Sequence, residues 1–191
     1  MTPAERPCLF SGGMVNAILA GRKSVTRRVV KPQPAAGVRS SAFAPSGIED
    51  GHGREIRCPF GGPGTKLWVR ETWYCDLPLS DPDRLDHTYY RADARRTGRI
   101  CDVIPECECD GRKGYWKPSI FMPRWASRIT LEVTGIRVER VQAITEEDAR
   151  AEGVESVAAY RALWDDINGA RPGCSWADSP WVWVVSFRRL S

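Results

Sequence analysis

The alternation of apolar and polar positions predicts strands in three segments of this chain. Residues 66–73 alternate, which puts Glu71 on the same side as two apolar residues and predicts that its carboxylate is buried. Residues 129–141 alternate with an interruption at Gly135, which predicts a strand with a bulge. Residues 181–187 form a continuous apolar and aromatic run, typical of a buried strand.

Helical spacing and cap residues predict three helices. The first is expected to begin after Ser11 and to end at Gly21, since serine favours the N-cap and glycine the C-terminal cap. The second opens at Thr145 in a near capping box and ends at Gly153. The third covers residues 156–167. The expected buried residues of this third helix are Val157, Leu163, Trp164 and Ile167.

Two long segments, residues 32–66 and 75–118, are predicted to be irregular. The first interleaves five prolines with seven glycines, a composition that resists regular structure. The remaining elements predict one α+β domain over residues 1–191. Its predicted strands lie mostly too far apart in sequence for simple hairpins, which favours a small curled sheet or barrel flanked by helices.

The composition is that of a soluble globular domain. The chain has 191 residues, of which 42% are hydrophobic and 27% charged, enough for one core. No apolar run approaches the roughly 20 residues that span a bilayer, and the amino terminus lacks a secretory pattern. We therefore expect a cytoplasmic protein without a membrane partner. The formal net charge of +4 does not by itself indicate nucleic acid binding.

The cysteines are interpreted as reduced thiols. Seven of them, an odd number, do not form the pattern of a disulfide framework. A structural zinc site is the alternative, because thiolates and imidazoles suit tetrahedral zinc, although the spacing here is atypical of zinc sites. The candidate ligands are Cys101, Cys107 and Cys109, with Cys58, Cys75, His52 or His87 as a fourth. No other cofactor is expected.

A dense basic cluster occupies residues 21–28, Gly-Arg-Lys-Ser-Val-Thr-Arg-Arg, where the first helix gives way to a predicted strand over residues 24–30. Such a turn can present Lys23 and Thr26 together. Basic clusters attract phosphate through counterion release, and a solvated basic face accounts for the same pattern.

This cluster and the order of the elements around it resemble the ASCH domain, a PUA-like β-barrel. The resemblance rests on Gly-Arg-Lys-Ser-Val-Thr, a core strand, the helix over residues 145–154 and the terminal strand. It leaves residues 32–66 and 75–125 uncovered, which look like insertions. The segments at residues 67–73 and 122–128 are similar to longer phage and prophage members. The resemblance implies a small β-barrel that binds RNA or a modified base, and some members are hydrolases.

Two local motifs are similar to those of N4-acetylcytidine amidohydrolases: Gly-Arg-Lys-x-x-Thr and a helical Ala-x-x-Glu. The resemblance implies Lys23 as proton acceptor, Thr26 as nucleophile and Glu152 as proton donor. A threonine needs such a base, and a lysine becomes one when burial or nearby cations lower its pKa from about 10.4. Strand alternation separates Lys23 from Thr26 unless the chain still turns at residues 22–24. In the structural alternative, Lys23 caps helix carbonyls and Glu152 is solvated.

Further residues are candidates for ligand contact. Arginines near the cluster could contact phosphate, and tryptophans on strands could stack on bases, although such rings more often belong to a core. Arg70 and Glu71 could form a buried ion pair that lines the same cavity, and a purely structural pair is the alternative. The candidate binding residues are Arg22, Ser24, Arg27, Arg28, Arg70, Glu71, Trp73, Arg124 and Trp125.

Three functions remain open from the sequence. The first is a module that binds RNA or a modified nucleoside in a cleft. The second is an amidohydrolase acting on an acylated pyrimidine nucleoside. The third is an RNA-cleaving hydrolase in which cations stabilise the phosphate. The base, its modification and the oligomeric state are not indicated.

Overall fold

The computed structural model describes residues 5–41, 47–75, 80–94, 103 and 116–191. Short 3₁₀ turns connect several of its elements. The described strands are β1 (Glu5–Leu9), β2 (Val25–Val29), β3 (Val38–Ser40), β4 (Ile48–Asp50), β5 (Lys66–Arg70), β6 (Trp73–Cys75), β7 (Thr88–Tyr90), β8 (Thr130–Arg140) and β9 (Trp181–Arg189). The described α-helices are α1 (Gly12–Leu19), α2 (Glu146–Ala151) and α3 (Val157–Asn168).

A five-stranded sheet in the order β1-β5-β8-β9-β2 forms the centre of the mixed α+β fold. The β1–β5 pair is parallel and the other pairs are antiparallel. The prediction of a closed barrel is wrong. Within the described residues the sheet is open, with β1 and β2 at its edges. Pro7 in β1 has no N–H to donate, which suits an edge strand. The guanidinium of Arg28 donates to the main-chain carbonyl of Leu9, so a side chain joins these edges.

Strand β9 separates two hydrophobic clusters. Trp183, Val185 and Phe187 belong to the cluster that contains α1 and β5 side chains. Val182 and Val184 face the other cluster, with α2 and α3. The predicted bulge in β8 is confirmed, because its pairing with β9 shifts register between Val133 and Gly135.

The helix ends largely follow the predicted caps. Gly21 has φ +71, the left-handed conformation that ends α1. Thr145 and Asp148 form a full capping box on α2. The predicted buried side of α3 needs correction, since Tyr160, Trp164 and Asn168 are buried and Ile167 is 41% exposed.

The segments predicted to be irregular contain ordered pairs. Strands β3 and β4, inside residues 32–66, form a two-stranded sheet. Strand β7, inside residues 75–118, pairs with β6. The prediction of irregular structure is therefore wrong at these strands. Among the described residues, no helix has the length and apolar character to cross a bilayer.

Candidate functional site

Lys23 and Glu152 form a buried ion pair between the end of α1 and the end of α2. The Lys23 Nζ lies 2.5 Å from Glu152 Oε2 and also donates to the main-chain carbonyl of Glu152 at 2.9 Å. The two residues are 3% and 4% exposed. Lys23 does contact a helix-terminal carbonyl, as the structural alternative predicted, but Glu152 is not a solvated helix residue.

Backbone geometry brings these two residues together. Beyond Gly21 the main-chain N–H of Lys23 donates to the Ala17 carbonyl at 3.1 Å, so the chain is still turning there. Gly153, directly after Glu152, has φ +89. A Cβ at Gly153 would lie 2.8 Å from the Ala17 Cβ and 3.3 Å from the Lys23 Cβ. The approach of α2 to this turn therefore requires a glycine.

Arg27 extends the pair into a charged network. Its side chain is fully buried and reaches Glu152 Oε1 at 3.3 Å, Glu139 Oε1 at 2.8 Å and Asp148 Oδ2 at 3.0 Å. Arg137 reaches Glu139 and Asp148 at 3.0 and 2.9 Å. Buried charges persist mainly when they are paired in this way. The network balances three cations against three carboxylates: Lys23, Arg27, Arg137, Glu139, Asp148 and Glu152.

The environment shifts the pKa values of several of these groups. Burial lowers the pKa of Lys23, and the Glu152 charge offsets only part of that effect. For Asp148, burial opposes ionisation, but the Arg27 charge and hydrogen bonds from Thr145 and Arg137 outweigh it and lower the pKa. Burial and the Glu152 charge raise the pKa of the nearby Tyr160.

A cavity of about 220 Å³ lies between β2 and α3, beside this network. Its lining residues include Thr26, Arg27 and Glu152, together with the aromatic Tyr160 and Trp164. A buried carboxylate, a hydroxyl, guanidinium groups and aromatic rings therefore meet at one small space. The remaining lining residues are Met14, Arg28, Val29, Lys31, Leu163, Ile167, Asn168 and Arg171.

Of the three expected catalytic residues, Glu152 is the one that connects the other two, Lys23 and Thr26. Glu152 forms an ion pair with Lys23. It also lines the cavity together with Thr26, which lies on β2 and is 2% exposed. Lys23 itself is not a lining residue. Its Nζ hydrogen bonds in the described part of the chain go to Glu152 rather than to Thr26.

The other expected binding residues divide between this cavity and a second region. Arg27 and Arg28 line the cavity, whereas Arg22 and Ser24 are exposed and do not line it. The second region lies around β5 and β6, and its members are not lining residues of the cavity. They are Arg70, Glu71, Trp73, Arg124 and Trp125.

The expected Arg70–Glu71 ion pair is wrong. The buried Glu71 is paired instead with Arg128, whose Nε lies 2.9 Å from Glu71 Oε1, and Arg128 also pairs with Asp93 at 2.7 Å. The Arg70 guanidinium lies over the Trp68 ring, 4.6 Å from its centroid. Neighbouring residues in an extended chain point to opposite sides, which separates the two.

The tryptophans of the second region pack against one another. Trp73 is 1% exposed and meets Trp125 edge to face, with 5.8 Å between ring centroids. The Lys117 Nζ lies 4.8 Å from the Trp73 centroid. Trp73 is therefore a core residue here rather than an open stacking platform. Arg124 forms an ion pair with Glu5 at 2.7 Å.

The zinc hypothesis rests mainly on residues outside the described part. Cys101, Cys107 and Cys109 all lie there. Within the described ranges, no group of three or more histidine, cysteine, aspartate or glutamate side chains could hold a metal ion. Cys58 is a free thiol, and the Cys75 thiol donates to the main-chain carbonyl of Arg84 at 3.5 Å.

Comparisons with known proteins identify two similar solved structures. No family model matches the chain, and neither does a curated protein. The crystal structure of an Enterococcus faecalis protein, family DUF984, is 8% identical, with a TM-score of 0.42 over 100% of this chain and 81% of that one. The second solved structure is the crystal structure of an ASCH domain. It comes from Lactobacillus crispatus and is 12% identical, with a TM-score of 0.43 over 97% of this chain and 79% of that one.

Proposed function

We propose that the protein is an ASCH-type domain that recognises a modified nucleobase in the cavity between β2 and α3. The observation that supports this proposal is that Thr26 and Glu152 line one cavity while Lys23 and Arg27 hold the Glu152 carboxylate. Lys23, Thr26 and Arg27 belong to the basic cluster of residues 21–28, and Glu152 belongs to the second motif of the sequence resemblance.

The cavity lining suits the edge and faces of a base. A carboxylate oxygen of Glu152 accepts a hydrogen bond from an exocyclic amine, and the Thr26 hydroxyl both donates and accepts. The rings of Tyr160 and Trp164 supply apolar surface for a planar ligand. At about 220 Å³ the cavity is smaller than the ~300–1,000 Å³ of pockets for drug-sized ligands. A single nucleoside is therefore the expected occupant.

Hydrolysis of an N-acylated pyrimidine is the finer candidate, favoured by the lowered pKa of Lys23 and its contact with Glu152. Moving one proton from Nζ to Oε2 gives a neutral lysine and a protonated glutamate with no change in total charge. Those are the states that a general base and a general acid require.

The reaction then proceeds in two steps. The Thr26 oxygen attacks the acyl carbon, and its proton passes to Lys23. Glu152 protonates the exocyclic nitrogen as the C–N bond breaks, leaving the pyrimidine amine and an acyl-threonine. Water then attacks the acyl-threonine ester, which releases the carboxylic acid and restores the hydroxyl. The mechanism requires Lys23 to turn from Glu152 toward Thr26 when the ligand binds.

Two substitutions at one position separate recognition from hydrolysis. Thr26→Val keeps the shape of the side chain without its hydroxyl, and Thr26→Ser keeps the hydroxyl. Binding of cytidine and N-acylated cytidines is measured by calorimetry, and products are separated by chromatography. We expect all three proteins to bind, and the wild type and Thr26→Ser to deacylate while Thr26→Val does not.

Different results reject the two parts of the proposal, nucleobase recognition and hydrolysis. Binding without deacylation by the wild type would reject the amidohydrolase and leave the recognition module. Deacylation by Thr26→Val at the wild-type rate would reject Thr26 as the nucleophile. If no base, modified base or nucleoside bound the wild type, the recognition function itself would be rejected.

A further inference from the structure

Positive side chains outnumber negative ones around the cavity. Four of its lining residues are cationic, and Glu152 is its one carboxylate within the described part of the chain. Arg27 and Lys23 already neutralise that carboxylate inside the balanced network. The other three cations are Arg28, Lys31 and Arg171.

None of these three forms an ion pair with a described residue. Arg28 donates to the Leu9 carbonyl and lies over the Phe10 ring, 5.2 Å from its centroid. Its Nε is buried and has no hydrogen-bond partner in the described structure. A buried charged donor without a hydrogen-bond partner destabilises the folded protein unless a ligand or a water molecule accepts the bond.

Lys31 and Arg171 supply exposed positive charge to the same cavity from two different elements. Lys31 follows β2 and Arg171 follows α3. The Arg171 Nη1 lies 3.5 Å from the side-chain oxygen of Asn168, the last residue of α3. The helix C-terminus there carries about half a negative charge, too little to balance three cations.

We propose that the cavity binds a phosphate-bearing nucleoside, with its base toward Glu152 and its phosphate against Lys31 and Arg171. The inference rests on the proposed function and names the class of ligand. A phosphomonoester carries about −1.5 to −2 charge at pH 7 and three acceptor oxygens. Lysine and arginine bind such groups through short charge-assisted hydrogen bonds. A free nucleotide and a 5′-phosphorylated RNA end present the same chemistry.

Matched pairs of ligands test the inference. Cytidine and uridine are compared with their 5′-monophosphates, and a short RNA bearing a 5′-phosphate is compared with the same RNA bearing a 5′-hydroxyl. Calorimetry measures Kd for the wild type, for Lys31→Ala with Arg171→Ala, and for Arg91→Ala with Arg161→Ala. The last variant is the control, since it removes two exposed charges that do not line the cavity.

We expect the phosphate to strengthen binding of at least one pair by about ten-fold or more, as charge-assisted contacts do. This gain disappears in the Lys31 and Arg171 variant and persists in the control. A gain in the nucleotide pairs identifies the free nucleotide as the source, and a gain confined to the RNA pair identifies the RNA end. Because both replaced side chains are exposed, the variant is expected to fold.

Other outcomes overturn the inference. Equal binding with and without the phosphate in every pair, nucleosides and RNA alike, would reject it while leaving nucleobase recognition in place. If the phosphate still strengthened binding in the Lys31 and Arg171 variant, the assignment of the phosphate to these two residues would be rejected. Absence of binding by nucleosides, nucleotides and RNA alike would reject the proposed function together with the inference.

Discussion

The Lys23 Nζ contacts Glu152 twice, through a carboxylate oxygen at 2.5 Å and the main-chain carbonyl at 2.9 Å. The first contact depends on the charge of the side chain, whereas the second satisfies a carbonyl at the end of α2. Removing one partner therefore has different consequences on the two sides of the pair. The lysine loses its counter-charge, while the carboxylate keeps Arg27.

A double-mutant cycle measures this coupling. We expect Glu152→Gln and Lys23→Met each to lower the free energy of unfolding, by up to about 3–5 kcal/mol for an uncompensated buried charge. The double variant should lose less than the sum of the two, because neither charge is then left without its partner. Urea unfolding of all four proteins gives the coupling energy. Losses that simply add would show that the contact contributes nothing beyond two independent side chains.

Gly153 gives a second test, aimed at the approach of α2 to the turn at Lys23. Gly153→Ala must place a Cβ 2.8 Å from the Ala17 Cβ at φ +89. We expect it to destabilise the protein by about 1–3 kcal/mol through backbone strain, with a further loss from the clash. Gly173→Ala is the matched control, since Gly173 has φ +68 and nothing within 4 Å of a Cβ. Equal losses in urea unfolding would mean that the close approach is unimportant.

Some of this arrangement was predictable because it depends on local sequence. The capping box of Thr145 and Asp148 spans four residues, and Gly135 marks the bulge in β8. Burial of Glu71 followed from its place in an alternating segment, and it is 1% exposed. Each of these features depends on backbone preferences that act within one element.

The partners of the buried charges could not be found in the same way. Arg27 and Arg137 lie opposite the same residue, Val184, only because β2 and β8 flank β9 in a particular register. The Glu71–Arg128 pair likewise joins residues 57 positions apart. Strand order and register follow from the packing of the whole core, and the sequence pattern of one strand does not contain them. The sequence pattern could not predict that the sheet is open, for the same reason.

The low pKa of Asp148 predicts loss of stability in acid. Its folded pKa lies below its unfolded value, so its contribution is complete above the unfolded pKa and is lost as the pH falls through the folded pKa. We expect Asp148→Asn to be less stable than the wild type near pH 7, and this difference to shrink below about pH 4. Urea midpoints measured from pH 7 to about pH 3 follow it. A difference that stayed constant over this range would contradict the assignment to the carboxylate charge.

Salt dependence distinguishes a site for one nucleotide from a surface that binds a polymer. A cavity of about 220 Å³ with Lys31 and Arg171 at one phosphate predicts that affinity changes little with RNA length. Because each phosphate contact on a single strand contributes a slope of about −0.7 in log K against log salt, we expect a slope of about −0.7 for all lengths. Titrations of 5′-phosphorylated RNAs of increasing length between about 50 and 300 mM salt measure it. Arg188→Ala with Arg189→Ala, which removes basic residues outside the cavity, should leave the slope unchanged. A slope that steepens with length, together with its loss in this variant, would instead place polymer binding on the end of β9.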